Sequence, residues 1–229
     1  MSSMLAVEYS DKVQMLADAF RSSDSSPAVL AKVRSKIWTS KRSRIAIGGR
    51  GDVAAFSVFA RGIALNGFMF GSFDRTFARL ETDLANAKRN KQTLRFAEVI
   101  VAGISETRGP MIRCFGTAAY GPVEPFKLYA PRTMSFGGDP YFYGGPPVQN
   151  IAFRLRDGLE ATGAAIMGEA RVTPAPPTLD PSGELFFAVG GFAELVTITP
   201  AGIKREIVCR WPEDTPGQKI DPTAGREAA

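Results

Sequence analysis

The first part of the chain alternates apolar and polar residues with the period of a β-strand. Leu5 and Val7 alternate with their neighbours, and Val13, Met15 and Ala17 repeat the alternation after a short Ser-Asp-Lys segment. A period of two places every second side chain on one face of a strand, and a polar segment between two such runs is typical of a turn. The pattern therefore predicts a β-hairpin at the start of the chain.

Further elements follow from the same reasoning. Apolar residues recur at helical spacing over residues 52–65, 73–89 and 148–170, which predicts three amphipathic helices. Additional strands are predicted for residues 33–39, 97–104, 111–117, 193–199 and 203–211, and residues 44–52 predict a strand that ends in a glycine-rich turn. Strands followed by a helix pair and then by more strands indicate a layered architecture.

Length and composition limit the domain organisation. The 229 residues are 45% hydrophobic, which is enough for one substantial core, and we predict a single domain over residues 1–211. Residues 212–229 are polar and rich in Pro and Gly, which predicts a disordered tail. We find no apolar stretch of the roughly 18 to 20 residues that would span a bilayer and no signal-peptide pattern, so we expect a cytoplasmic protein without a membrane partner.

The chain contains no histidine, which excludes several kinds of active site within this polypeptide. A Ser-His-Asp triad, a Cys-His pair and a helical HExxH zinc site all require the imidazole group. Cys114 and Cys209 are far apart in apolar runs, which is typical of buried strand cysteines rather than of a zinc or redox site. We predict no cofactor and no metal.

Three short segments carry a resemblance to a known family. Ser2 precedes Asp18 by the length of the predicted hairpin, a Ser-Lys-Ile run contains Lys36, and a glycine-rich turn covers residues 48–52. This arrangement resembles the proteasome β-type subunits and their bacterial relatives, which are N-terminal nucleophile (Ntn) hydrolases, and the chain looks like a divergent member. The resemblance implies an α+β fold, a four-layer αββα sandwich.

The resemblance also implies a catalytic site. After removal of Met1, the Ser2 hydroxyl attacks the substrate carbonyl, and its own α-amine, with a pKa of about 8, accepts the proton. Lys36 tunes the nucleophile, and Asp18 keeps Lys36 charged and oriented. The N–H of Gly49 stabilises the oxyanion, with Gly48 as the alternative.

The implied activity is that of a serine- or threonine-type peptidase or amidohydrolase, acting on a peptide or a small amide. Subunits of this family often form rings, so a homo-oligomer is expected by analogy. Two positions depart from the family pattern, because Gly138 occupies the place of a serine and Phe186 that of an aspartate. A catalytically inactive subunit with a structural or binding role is therefore the alternative.

A third interpretation comes from charge. The formal net charge is +5, and basic residues are densest between Lys32 and Arg44. A nucleic-acid-binding patch there would give strongly salt-dependent binding. The basic residues alternate with apolar ones, as in half-buried strands, and we therefore consider a nucleic-acid partner the least favoured interpretation.

Overall fold

The computed structural model describes residues 3–22, 30–119, 123–136, 155–174 and 182–223. These ranges contain eleven strands and three helices. The strands are β1 (Met4–Glu8), β2 (Val13–Asp18), β3 (Phe20–Ser22), β4 (Leu30–Val33), β5 (Trp38–Ser40), β6 (Ile45–Gly51), β7 (Ala97–Ser105), β8 (Gly109–Gly116), β9 (Thr133–Phe136), β10 (Phe192–Thr199) and β11 (Gly202–Arg210). The helices are α1 (Val53–Phe70), α2 (Phe73–Arg89) and α3 (Leu159–Arg171).

The hairpin predicted at the start of the chain is confirmed. β1 and β2 pair in antiparallel register, with Met4 opposite Ala17 and Glu8 opposite Val13. They form the centre of a five-stranded antiparallel sheet with the order β11-β10-β2-β1-β9. Asp18 therefore ends a strand in the middle of this sheet.

A four-stranded antiparallel sheet, β5-β6-β7-β8, forms the second large unit. The strand predicted for residues 33–39 is divided in two, because Val33 ends β4 and Trp38 begins β5. β4 instead pairs with β3 in a separate two-stranded ribbon. The segment between β4 and β5, which contains Lys36, thus connects the ribbon to the four-stranded sheet.

Helices α1 and α2 pack on one face of the four-stranded sheet. The Asp52 side chain caps α1 by accepting a hydrogen bond from the Ala55 N–H at 2.8 Å, and Ser72 caps α2 in the same way. α1 extends to Phe70, five residues beyond its predicted end, and its 18 residues have a mean hydropathy of 1.5 with 28% of them buried. Contrary to the sequence expectation, α1 is therefore long and apolar enough to span a membrane by length and composition alone.

The two large sheets face each other across an apolar layer. Met4 and Met15 of the five-stranded sheet share this layer with Ile100 and Ile112 of the four-stranded sheet. On the opposite face of the five-stranded sheet, Leu16 contributes to a cluster with α3. The main body of the molecule is thus built by strands.

The predicted α+β class, a four-layer αββα sandwich, is wrong. The described residues form a β-rich fold of antiparallel sheets with three helices. Residues 148–154 of the helix predicted for 148–170 lie outside the described residues, and its part from Leu159 to Ala170 lies within α3. Gly158, which precedes α3, has a φ of +85° and makes no side-chain cap. α3 has 13 residues and packs on the five-stranded sheet.

Candidate functional site

Asp18 and Lys36 form a buried ion pair at the end of β2. The Lys36 Nζ lies 2.6 Å from Asp18 Oδ1, and the side chains are 5% and 0% exposed. Both residues were candidates from the sequence, and the structure brings them into direct contact. Burying two charges is costly unless they are paired, so this contact requires specific support from the surrounding backbone.

The β3–β4 ribbon explains why these two residues meet. Phe20 pairs with Val33 in the ribbon, and the Arg34 N–H donates to the Ala19 carbonyl at 3.1 Å. The chain therefore returns beside its own earlier course just before Lys36. Residues that are 18 positions apart in sequence become neighbours through this pairing.

Asp18 also accepts two backbone hydrogen bonds. The Ser3 N–H donates to Oδ1 at 2.9 Å, and the Phe20 N–H donates to Oδ2 at 2.8 Å. Ser2, the candidate nucleophile, lies outside the described residues. Ser3 follows it directly in the chain, so the peptide group between the two residues is held by the same carboxylate that binds Lys36.

Burial dominates the protonation of the pair. It lowers the pKa of Lys36, although the negative charge and hydrogen bond of Asp18 oppose this shift, and the nearby Arg21 reinforces it. Burial likewise raises the pKa of Asp18 against the effect of Lys36 and the two backbone donors. A lysine with a lowered pKa releases its proton more readily than an exposed one, which is the property of a general base.

Within the described residues, Lys36 uses only part of its hydrogen-bonding capacity. An ammonium group carries three donors, and in the described part of the chain one of them bonds to Asp18. Its Nζ also lies 6.0 Å from the centre of the Phe20 ring, which favours a cation. The remaining donors can bind an oxygen that approaches from outside the pair.

The segment around Lys36 is clamped to the five-stranded sheet. The Ser35 hydroxyl donates to Glu194 of β10 and accepts a hydrogen bond from Arg205 of β11 at 2.8 Å. Arg205 also donates to the Ile37 carbonyl at 3.3 Å and forms an ion pair with Glu194. Sequence analysis missed this clamp because Glu194 and Arg205 lie more than 150 positions after Ser35 and carry no local motif.

The glycine-rich segment lies mostly in strand β6 rather than in a turn. A Cβ on Gly49 would lie 2.2 Å from the Glu98 carbonyl oxygen and 2.7 Å from the Phe56 ring. A Cβ on Gly48 would lie 2.4 Å from the Met4 sulfur. Close packing therefore explains why both positions are glycine.

The Gly49 N–H nevertheless points toward the end of the sheet where Lys36 lies. The Asp52 N–H donates to the Phe96 carbonyl in the segment that enters β7. Alternate residues of an antiparallel strand bond to the same neighbouring strand, and Gly49 is an odd number of residues from Asp52, so its N–H faces away from β7. Gly49 therefore faces the side of β5, which pairs with β6 only as far as Trp38 opposite Ile47. Gly49 and Lys36 each lie two residues beyond this last pair.

The turn itself is formed by Gly51, one of the glycines in the turn predicted for residues 48–52. Gly51 has a φ of +100°, a backbone conformation that favours glycine, and it directly precedes the α1 cap residue Asp52. The position of a glycine immediately before an N-cap aspartate was the available signal. Gly51 is the residue that lets the chain pass from β6 into α1.

The two departures from the family pattern have different outcomes. Gly138 lies outside the described residues. Phe186 is 8% exposed, so an apolar ring is buried at the position where the resemblance led us to look for a carboxylate. Among the residues that the structure describes, no three His, Cys, Asp or Glu side chains converge as a metal site would need.

Comparisons with known proteins give little family information. No family model matches the chain. A segment of 109 residues is 32% identical to chondroitin sulfate proteoglycan 4 of Rattus norvegicus, and the match covers 44% of this chain and 4% of that protein. The chain thus spans a small part of the relative that it matches. The resemblance to N-terminal nucleophile hydrolases stays a prediction.

Proposed function

We propose that the chain hydrolyses an amide bond with Ser2 as an N-terminal nucleophile. The observation that carries this proposal is the buried Lys36–Asp18 pair, whose 2.6 Å contact lies beside the peptide group that follows Ser2. The proposal requires that everything before Ser2 is removed, so that its α-amine is free. The substrate is a peptide or a small amide.

The reaction has two steps. The Ser2 hydroxyl loses its proton to the α-amine or to the neutral form of Lys36, and its oxygen attacks the amide carbonyl. The C–N bond then breaks, the proton passes to the leaving amine, and an ester joins Ser2 to the acyl group. Water attacks this ester, releases the carboxylic acid and restores the hydroxyl.

The surrounding residues support these steps in distinct ways. Asp18 holds Lys36 in place, and burial lowers the pKa of Lys36, so that the lysine can accept a proton. The Gly49 N–H faces the edge of the sheet beside Lys36, where it is suited to stabilise the negative charge on the carbonyl oxygen. Asp18 and Lys36 are positioning and proton-transfer groups, while Ser2 forms the covalent bond.

Intact mass spectrometry with a hydroxyl-directed β-lactone probe tests the proposal. We expect protein purified from its native host to begin at Ser2 and to gain the mass of one probe molecule, mapped to Ser2. Ser2→Ala should remove the adduct, whereas the control Ser10→Ala, which changes an exposed serine, should retain it. A retained Met1, or an unlabelled free Ser2 in folded protein, would overturn the proposal.

A non-catalytic role as a structural or binding subunit, including assembly into a homo-oligomer, is the second candidate. The observation that favours it is the buried Phe186, because an apolar ring cannot replace a carboxylate that supports a nucleophile. This candidate predicts a folded protein that forms a defined assembly but leaves the β-lactone probe unreacted. Reaction with the probe separates the two candidates, and analytical ultracentrifugation of the same sample tests for the assembly.

A further inference from the structure

A basic cleft opens beside the segment that carries Lys36. Its volume is about 540 Å³, which is within the range of small-molecule sites. The residues that matter for its chemistry are Arg21, Arg34, Ser35, Trp38, Ser57 and Arg61.

Two elements form the walls of this cleft. One wall is the segment from Arg34 to Thr39, which includes the residues on both sides of Lys36. The other wall is α1, where Val53, Ser57 and Arg61 follow each other at four-residue spacing and therefore share one face of the helix. The cleft is thus lined by the chain neighbours of Lys36, and its Arg21 is close enough to Lys36 to lower the pKa of that lysine, although neither Lys36 nor Asp18 lines the cleft itself.

The positive charges of the cleft are not neutralised within the described residues. No ion pair among these residues joins Arg21, Arg34 or Arg61 to a carboxylate, whereas Arg205 at the rim is paired with Glu194 at 2.7 Å. The Arg21 Nε is buried and has no hydrogen-bond partner among them. An unpaired buried donor is costly, so it marks a place for an acceptor from outside the chain.

The mutual repulsion of these cations also favours the binding of an anion. Burial, and after it the positive charge of Arg34, lowers the pKa of Arg21. A bound anion would offset both effects. Guanidinium groups bind carboxylates and phosphates through two parallel hydrogen bonds, and of these two groups an unmodified peptide carries only the carboxylate.

We propose that this cleft binds the side-chain carboxylate of an acidic residue, Asp or Glu, that supplies the scissile carbonyl of the substrate. The position of the scissile bond rests on the function proposed above, whereas binding of the carboxylate rests on the cleft alone. The substrate class is thus an acidic peptide rather than any amide. Arg34 and Arg61 act as specificity-determining residues.

A pair of isosteric peptides tests the binding step without turnover. Isothermal titration of the Ser2→Ala protein would compare acetyl-Ala-Ala-Glu-amide with acetyl-Ala-Ala-Gln-amide, which differ by one charge and almost nothing in shape. We expect the Glu peptide to bind at least tenfold more tightly, with an affinity that falls as salt is raised. Equal affinity for the two peptides, or no binding of either, would overturn the inference.

Charge reversal locates the effect in the cleft. Arg34→Glu and Arg61→Glu should each abolish the preference for the Glu peptide, and Arg34→Gln should reduce it. Both arginines are exposed, so their replacement leaves the core intact. The control is Arg75→Glu, which changes an exposed arginine on α2 outside the cleft and should keep the preference. A preference that survives both cleft variants would contradict the proposal.

Turnover separates this inference from the proposed hydrolase function. Fluorogenic amides of the same two peptides would be assayed with the protein that begins at Ser2, and kcat/KM should be at least tenfold higher for Glu. Selective binding without any turnover would refute the hydrolase but support the carboxylate cleft. Turnover with equal rates for Glu and Gln would refute the cleft and support the hydrolase.

Discussion

Two buried ion pairs in this molecule differ in the number of hydrogen bonds that the cation makes within the described residues. Arg171 of α3 binds Asp214 through two hydrogen bonds of 2.8 Å each, and it donates further bonds to the Val189 carbonyl and to Glu213. Lys36 contacts Asp18 through a single hydrogen bond of 2.6 Å. Within the described residues, both terminal nitrogens of Arg171 make two hydrogen bonds each, whereas Lys36 makes one.

The cations also differ in what they can do. A guanidinium stays protonated at all ordinary pH values, and the Arg171 group is further held 4.9 Å from the centre of the Trp211 ring. A lysine ammonium is a compact charge whose pKa falls on burial, as it does for Lys36. The comparison teaches that an arginine held by several hydrogen bonds suits a structural role, whereas a buried lysine with a lowered pKa suits proton transfer.

The largest expected effect is the loss of kcat/KM when Lys36 of the lysine pair is replaced. Lys36→Met should lower kcat/KM for the fluorogenic Glu amide by about 10³-fold, because it removes a proton-transfer group beside the nucleophile. Arg171→Lys should leave kcat/KM within about threefold, since Arg171 lies outside the proposed machinery. The measurement is steady-state kinetics at a temperature where both variants are folded by circular dichroism. Equal losses in the two variants would remove the functional distinction between the pairs.

The next largest expected effect is a loss of stability when the arginine pair is broken. Arg171→Met leaves Asp214, which is 2% exposed, without its cation, and should lower the free energy of unfolding by about 3–5 kcal/mol. The matched control is Arg79→Met, which breaks an exposed pair with Asp83 and should cost less than about 1 kcal/mol. Urea denaturation measures both. A loss for Arg171→Met no larger than the control would show that the arginine pair is not structural.

The last expected effect is a pH dependence to which the lysine pair contributes and the arginine pair does not. Burial lowers the pKa of Lys36, so its neutral form appears at a lower pH than that of an exposed lysine, whose pKa is about 10.4. If neutral Lys36 accepts the proton, kcat/KM rises about tenfold per pH unit below that lowered pKa and levels off above it. A profile from pH 5.5 to 9.5 measures this rise.

Two variants make the pH experiment specific. Lys36→Met should leave only the rise that belongs to the α-amine of Ser2, with a pKa of about 8. Arg171→Lys should not move the profile. A profile that is the same in wild type and in Lys36→Met would assign the whole rise to the α-amine and leave Lys36 with a positioning role.

Local elements were predictable where one periodicity dominates. The β1–β2 hairpin and the helix α2 follow the expected bounds, because alternation and helical spacing are strong signals over those stretches. The Asp18–Lys36 contact was also anticipated, but from a resemblance rather than from the pattern. The pairing of Phe20 with Val33, which creates the contact, has no local signal.

Long-range features were not predictable in the same way. The division of residues 33–39 into two strands depends on which partner each half finds, and the β-rich class depends on how the strands are arranged in sheets. The clamp through Glu194 and the pairing of Asp214 with Arg171 join residues that are far apart in sequence. Sequence periodicity predicts which face of a helix or strand is apolar, but it does not predict which elements pack against each other.

The outer strand of the five-stranded sheet has a consequence for solubility. β11 is an edge strand, and it carries Lys204, Arg205, Glu206 and Arg210. An edge strand exposes a row of backbone donors and acceptors that can recruit a strand from another chain, and charged side chains oppose such recruitment. Replacing these charged residues with neutral ones would therefore let the edge strand pair with strands of other chains and would favour aggregation.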